Sequence, residues 1–209
     1  MFGRGLLQRT PTGYAGGAGL VERGNRAAGQ SALRPVVIPE LAELQRRTGV
    51  AVWMVDVSSA AEWVLVGSIY DRIAAHTQYS DDWPRRPQDP AVLASALGAV
   101  ALADEPAAVD KLLRRGVPRL TPHTAIEPIR ALAALHRAKD AGALIEHGRF
   151  RLGWSCVAVP VMHTVEHRTV GVVGAVDRTP RFMADRLLRA TQATAALMEA
   201  GWPRPVVSR

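Results

Sequence analysis

Cys156, His123 and Glu146 are polar groups that a small-molecule site could use, and each needs a neighbour before it can do chemistry. Cys156 is the only cysteine in the chain. A thiolate nucleophile requires a base or a positive field beside it, and Ser155, Val157 and Ala158 supply neither, so Cys156 reads as a buried, pocket-lining thiol. His123 has no acid or nucleophile fixed next to it in sequence and reads as a structural histidine bonded to a loop. His163, Glu166 and His167 combine two imidazoles with a carboxylate, a known zinc ligand set. In a turn between strands, however, an i,i+4 pair does not share a face as it would on a helix, and no metal is expected. Trp53, Trp63 and Trp83 read as core. Trp154 stands two positions before Cys156 and therefore lines the same strand face. Gly16-Gly17-Ala18-Gly19 lacks both a preceding hydrophobic strand and a Lys-Ser/Thr ending, so it is no phosphate-cradling loop.

The elements that position these residues follow from periodicity. Leu33, Val36, Val37, Leu41 and Leu44 recur at helical spacing and predict a helix ending near Thr48, with Gly49 as its stop. The runs 51–57 and 62–70 are rich in β-branched and aromatic residues and predict a β-hairpin. The polar, proline-rich stretch from Asp71 to Pro90 predicts a loop crossing the sheet edge. Helices are expected over Ala91 to Ala103, Glu105 to Arg115 and Ile126 to Lys139, with Pro106 and Pro128 in first turns. Ala143 to Glu146, Trp154 to Met162 and Thr169 to Val176 predict three strands, the last two joined by the turn His163 to Arg168. Arg181 to Gly201 predicts a long amphipathic helix. At the other end, Thr10-Pro11-Thr12-Gly13 reads as the turn of a short hairpin, too small to stand without packing on something else. The sum is an α+β fold with a mostly antiparallel sheet flanked by helices.

The chain has 209 residues, 48% of them hydrophobic, which suits one domain of ordinary size and excludes a disordered tail or a collagen-like fibre. No apolar run reaches the length of a spanning helix, and the N-terminus lacks the order of a secretory signal, so a cytoplasmic protein with no membrane partner is expected. The net charge of +7 invites polyanions. Lys111 and Lys139 are the only lysines, the arginines are dispersed along the chain, and solvated surface is the plainer reading.

Several segments together resemble the effector-binding domain of IclR-type transcriptional regulators. They are Ala94-Ser95-Ala96-Leu97-Gly98, Leu112-Leu113-Arg114-Arg115-Gly116, Leu120-Thr121-Pro122-His123-Thr124, Ala141-Gly142, and the run from Gly153 to Val161 that carries Gly-x-x-Cys-x-Ala-x-Pro-Val. The resemblance covers about Arg34 to Trp202. It implies a GAF-like domain over residues 31–203 that binds a small-molecule effector and self-associates as a homodimer or homotetramer. Residues 1–30 resemble the wing hairpin and linker start of a winged helix-turn-helix, a remnant of that unit. The recognition helix is expected before residue 1, through either a misplaced start or a lost reader. DNA is then a partner only if those helices are present, and the 209 residues alone are expected to bind it weakly and without sequence preference.

Carried over position by position, the resemblance places the backbone amides of Ala96, Leu97 and Gly98 against a ligand carboxylate. It puts Glu146 at a commonly acidic position and Cys156 at a pocket-lining one. Gly148 and Arg149 stand where the family usually has further glutamates. Val176 and Arg178 stand where it often has serines, and Gly174 shares their face. These departures imply a less polar wall that favours an aromatic or aliphatic ligand, with Arg178 able to reach a carboxylate. The ligand-sensing regulator is the first reading, with no catalytic residue and no cofactor. A small-molecule enzyme or carrier on the same fold, and a dimerisation module with a vestigial pocket, are the alternatives. Tryptophan at Cys156 or Gly98 is expected to block the pocket and leave the fold intact.

Overall fold

The computed structural model describes residues 6–11, 13–29, 31–70 and 86–202. Its centre is a five-stranded antiparallel sheet of β3 (Ala51–Asp56), β4 (Val64–Ile69), β5 (Leu144–His147), β6 (Trp154–Met162) and β7 (Thr169–Arg178), in the order β4-β3-β7-β6-β5. The β-branched runs build the strands, and alternation along them sends side chains to two cores. Val52, Met54, Val157, Val159, Val161, Val173 and Ala175 face one side, where they pack with Val37, Leu41, Leu44, Leu187 and Met198. Those partners come from α2 (Arg34–Thr48) and the long C-terminal helix α6 (Ala184–Gly201). Trp53, Val55, Ala158 and Val172 face the opposite side, where they pack with Val92, Leu93, Leu97, Val100, Leu112 and Leu135. That second layer is made by a 3-10 turn (Pro90–Ala94), α3 (Ala96–Ala101), α4 (Pro106–Arg115) and α5 (Pro128–Ala141).

Helix ends follow the expected chemistry. Gly49 adopts φ 75° and its N–H bonds the Gln45 carbonyl, closing α2 in the left-handed conformation that glycine takes without strain. Pro106 and Pro128 begin their helices. Before the sheet, β1 (Leu7–Thr10) and β2 (Gly13–Gly16) form the anticipated hairpin, followed by α1 (Ala18–Gly29). Apart from Leu7 and Thr10, which are half-buried, the hairpin strands are exposed. Positions 71–85, including Trp83 and most of the expected edge-crossing loop, lie outside the described residues. Trp53 and Trp63 are both buried in the core, as anticipated.

The single helix expected over Ala91 to Ala103 is instead two pieces. Ser95 is extended (φ −95°, ψ 153°) and separates the 3-10 turn from α3. Its hydroxyl donates to the Val92 carbonyl at 2.8 Å and accepts the Gly98 N–H at 2.9 Å, so one buried side chain ends one element and begins the next. Ser95→Ala leaves both backbone groups without that partner. Chemical denaturation is expected to show a loss of about 1–2 kcal/mol. Two smaller differences are that β7 runs on to Arg178, and that a 3-10 turn at Thr179–Arg181 delays α6 to Ala184.

Candidate functional site

Strand register sets the floor of the site. Glu146 on β5 pairs with Cys156 on β6, which pairs with Val176 on β7. The next row is Ala158, Gly174 and Trp53 on β6, β7 and β3. There the indole of Trp53 lies over Gly174, so close that a Cβ at Gly174 would fall 2.5 Å from Trp53 Cε2 and 2.7 Å from Cη2. Gly174 is therefore floor already covered by an aromatic ring. On the other side, Trp154 pairs with Arg178, whose guanidinium carbon sits 4.3 Å from the centre of the Trp154 ring, a cation–π stack. Between these two lids, Cys156 and Val176 are partly buried, in a sheet face whose neighbours Ala158 and Val172 are fully buried. That less covered strip is the apolar floor of the candidate cleft.

Leu97, Ala96 and Phe150 belong to the same apolar cluster as Cys156 and Val176. The N–H groups of Ala96 and Leu97 open α3 and have no hydrogen-bond partner among the described residues. The Gly98 N–H is already taken by the Ser95 hydroxyl. Of the three expected amides, two are free to meet an anion and one is a structural cap. Gly98 also cannot carry the blocking tryptophan expected of it. A Cβ there would press into the Val92 carbonyl, 2.6 Å from its carbon and 2.9 Å from the Val92 Cβ, so the fold would not survive intact.

Glu146 is the electrostatic centre of the cleft. It is 5% exposed and its carboxylate accepts the Arg149 N–H at 2.8 Å. Burial raises its pKa to about 7, outweighing the backbone hydrogen bonds from Arg149 and Phe150 and the charge of Arg149, which pull it down. Near neutral pH the group is therefore both an acceptor and a donor. Burial, with the Glu146 charge second, pushes the Cys156 thiol well above its ordinary range. Such a thiol is a poor nucleophile.

Other polar residues have structural partners. The backbone N–H of His123, not its imidazole, donates to the Thr121 hydroxyl at 3.1 Å. The Thr121 and Thr124 hydroxyls donate to the Gly148 and Arg149 carbonyls at 2.6 and 2.8 Å, tying that loop to the turn before β6. His163 is buried, and its Nδ1 accepts the Glu166 N–H at 3.1 Å. No group of three His, Cys, Asp or Glu residues among the described residues converges as a metal site. The sequence did not reveal the chain His147 Nδ1, Ser155 Oγ, Thr179 Oγ1, with links of 2.9 and 3.0 Å. It lies on the far side of the sheet with Ser155 fully buried, and Phe182 stands edge-on to His147. The strand register places Ser155 opposite His147, a pairing that counting along β5 and β6 could have found.

Two further cavities open elsewhere. One, of about 360 Å³, lies between Trp63, Leu102 and Leu112. The other, of about 570 Å³, lies between α5, His123 and Arg149. Neither includes any residue anticipated to bind the effector.

The model of the bacterial transcriptional regulator IclR C-terminal family matches residues 27–199. Among curated proteins no sequence matches significantly. Several solved structures share the fold. An IclR transcriptional regulator from Alicyclobacillus acidocaldarius superposes with a TM-score of 0.73 at 21% identity, over 94% of this chain and 79% of that one. An IclR homologue from Microbacterium hydrocarbonoxydans, complexed with 4-hydroxybenzoate, gives 0.73 at 22% identity over the same shares. The Thermotoga maritima IclR gives 0.70 at 18% identity, over 95% of this chain and 80% of that one. With the family model covering most of its length and the sheet and helices laid out as in these regulators, the chain belongs to the IclR family of bacterial transcriptional regulators, of which it carries the C-terminal domain.

Proposed function

We propose that the cleft over Cys156 and Val176 binds a small aromatic or aliphatic organic acid and that this binding is the sensing event of a transcriptional regulator. One observation carries the reading: a partly buried apolar strip in a sheet face that is otherwise fully buried, with a buried carboxyl group and two unpartnered helix-start amides beside it. The ring would lie on Cys156 and Val176 between Trp53 and Trp154. Its carboxylate would take the amides of Ala96 and Leu97, with Arg178 within reach at the rim. Glu146, when protonated, would donate to an oxygen of the ligand. The complex of a relative with 4-hydroxybenzoate supports this ligand class.

In this reading the ligand acts through subunit arrangement, in a homodimer or homotetramer, and shifts DNA affinity only by its differential affinity for the two arrangements. Residues 1–30 serve as wing hairpin and linker, and residues 31–203 as the sensing domain of a cytoplasmic protein. The poorly nucleophilic thiol favours a sensor over an enzyme.

The test is a thermal shift with 4-hydroxybenzoate. At a hundred times its Kd a ligand stabilises the native state by about 2.7 kcal/mol, which is a rise of several degrees. Cys156→Trp, which fills the open floor, is expected to abolish the rise while circular dichroism stays native. The same rise in the variant would place the ligand elsewhere.

A further inference from the structure

The larger cavity away from the cleft is strongly cationic. Arg119, Arg130, Arg137 and Arg149 line it with His123, and Glu127 is the only acid among the lining residues. On α5, Arg130, Ala133 and Arg137 follow at i, i+3 and i+7 and so present one face, with the small Ala133 leaving room between two guanidinium groups. Arg119 and His123 come from the loop that Thr121 and Thr124 pin to the Gly148 and Arg149 carbonyls, so the rim is fixed and not a loose fringe. Arg149 closes the inner wall.

Apart from the attraction between Arg149 and the nearby Glu146 carboxyl, the charges are poorly compensated. Glu127 reaches Arg130 only at 3.8 Å and with both side chains exposed, a contact of little worth. Arg119 and Arg137 make no ion pair among the described residues. Arg149 has one long contact, from Nη2 to the Leu93 carbonyl at 3.4 Å, and its buried Nε has no partner. A buried guanidinium N–H left unsatisfied is costly, and a native chain keeps one where something else completes it. Arginine forks match the oxygens of phosphate and carboxylate groups, and a concave cationic wall concentrates such ions. A volume of about 570 Å³ has room for a small molecule.

We propose that this cavity is a second ligand site, taking a small anion that carries at least two phosphate or carboxylate charges. The site is separate from the cleft over Cys156 and stands whether or not that cleft binds an organic acid. Arg149 is the wall the two share, because its backbone N–H holds Glu146 while the residue also lines the arginine cavity.

The experiment is calorimetric titration of the full chain with pyrophosphate, at an ionic strength held constant with potassium chloride. One pyrophosphate per chain is expected. Arg137→Gln, an exposed change that leaves the core alone, and Arg149→Met, which keeps the apolar stem, should each weaken binding at least about tenfold. Arg189→Gln, on α6 across the sheet, should leave it unchanged. Absence of binding above the chloride control would overturn the proposal, as would equal weakening by all three variants or by neither cavity variant. A random-sequence DNA duplex that displaces pyrophosphate at equal phosphate concentration would also overturn it, by assigning the cavity to the nucleic-acid backbone.

Discussion

Gly98→Ala is expected to destabilise the domain by about 3 kcal/mol or more, a fall in Tm on the order of 6–12 °C for a chain of this size. The added methyl is driven into Val92, whose carbonyl carbon and Cβ lie 2.6 and 2.9 Å from the Cβ position. No flexible side chain can swing away. Relief requires parting the 3-10 turn from α3, and those elements are joined by the Ser95 hydroxyl and by the Ser95 N–H to Val92 carbonyl bond. Gly24→Ala is the control. It sits in α1 with nothing within 4 Å of its Cβ position, and alanine there favours the helix, so Tm should stay or rise slightly. Equal Tm values for wild type and Gly98→Ala would mean that α3 does not pack as described.

The second large effect concerns pH. Glu146 has its pKa raised from 4.5 to about 7 by burial. Between those values the unfolded chain has lost the proton that the folded chain keeps, so folding takes up a proton and stability falls as pH rises. The contribution is fully present below the unfolded value and lost as pH passes through the folded one. A shift of this size is worth about 3 kcal/mol above pH 7. Glu146→Gln removes the titration while preserving an acceptor for the Arg149 N–H. In urea denaturation at pH 5 and pH 8, the wild type should lose about 2.5 kcal/mol more than the variant, since part of the effect is already lost at pH 5. Parallel losses would show that Glu146 is ionised freely in the folded state. The same proton governs ligand preference, because a carboxylate ligand meets less repulsion when Glu146 is neutral. An organic acid should therefore bind more weakly above pH 7 than below it.

These effects were legible in the sequence to different degrees. Strands announced themselves because β-branched runs such as Val157 to Val161 and Val170 to Val173 have few other uses, and antiparallel hairpins followed from the short turns between them. The break at Ser95 was hidden because the alanine-rich stretch around it carries little periodicity. A serine three residues before a glycine, just beyond a proline-started turn, was the available sign. Cys156, Val176 and Glu146 were placed together by family resemblance, and the register makes them neighbours across three strands. Trp53 over Gly174 was illegible, since it depends on the pairing of β3 with β7, more than a hundred residues apart. The arginine cavity was equally hidden. Its lining comes from three segments, and only the Arg130, Ala133, Arg137 face of α5 was there to be read.

Because Cys156 is the chain's single thiol, a ligand seated on it can be detected directly. The rate of Cys156 modification by methyl methanethiosulfonate, a small uncharged reagent, is followed near pH 7 with and without a saturating aromatic acid. Ligand is expected to slow the reaction at least about tenfold, because the reagent must enter the same cleft and attack the same partly buried residue. An unchanged rate while calorimetry shows the ligand bound would contradict it and place the effector on another surface of the domain.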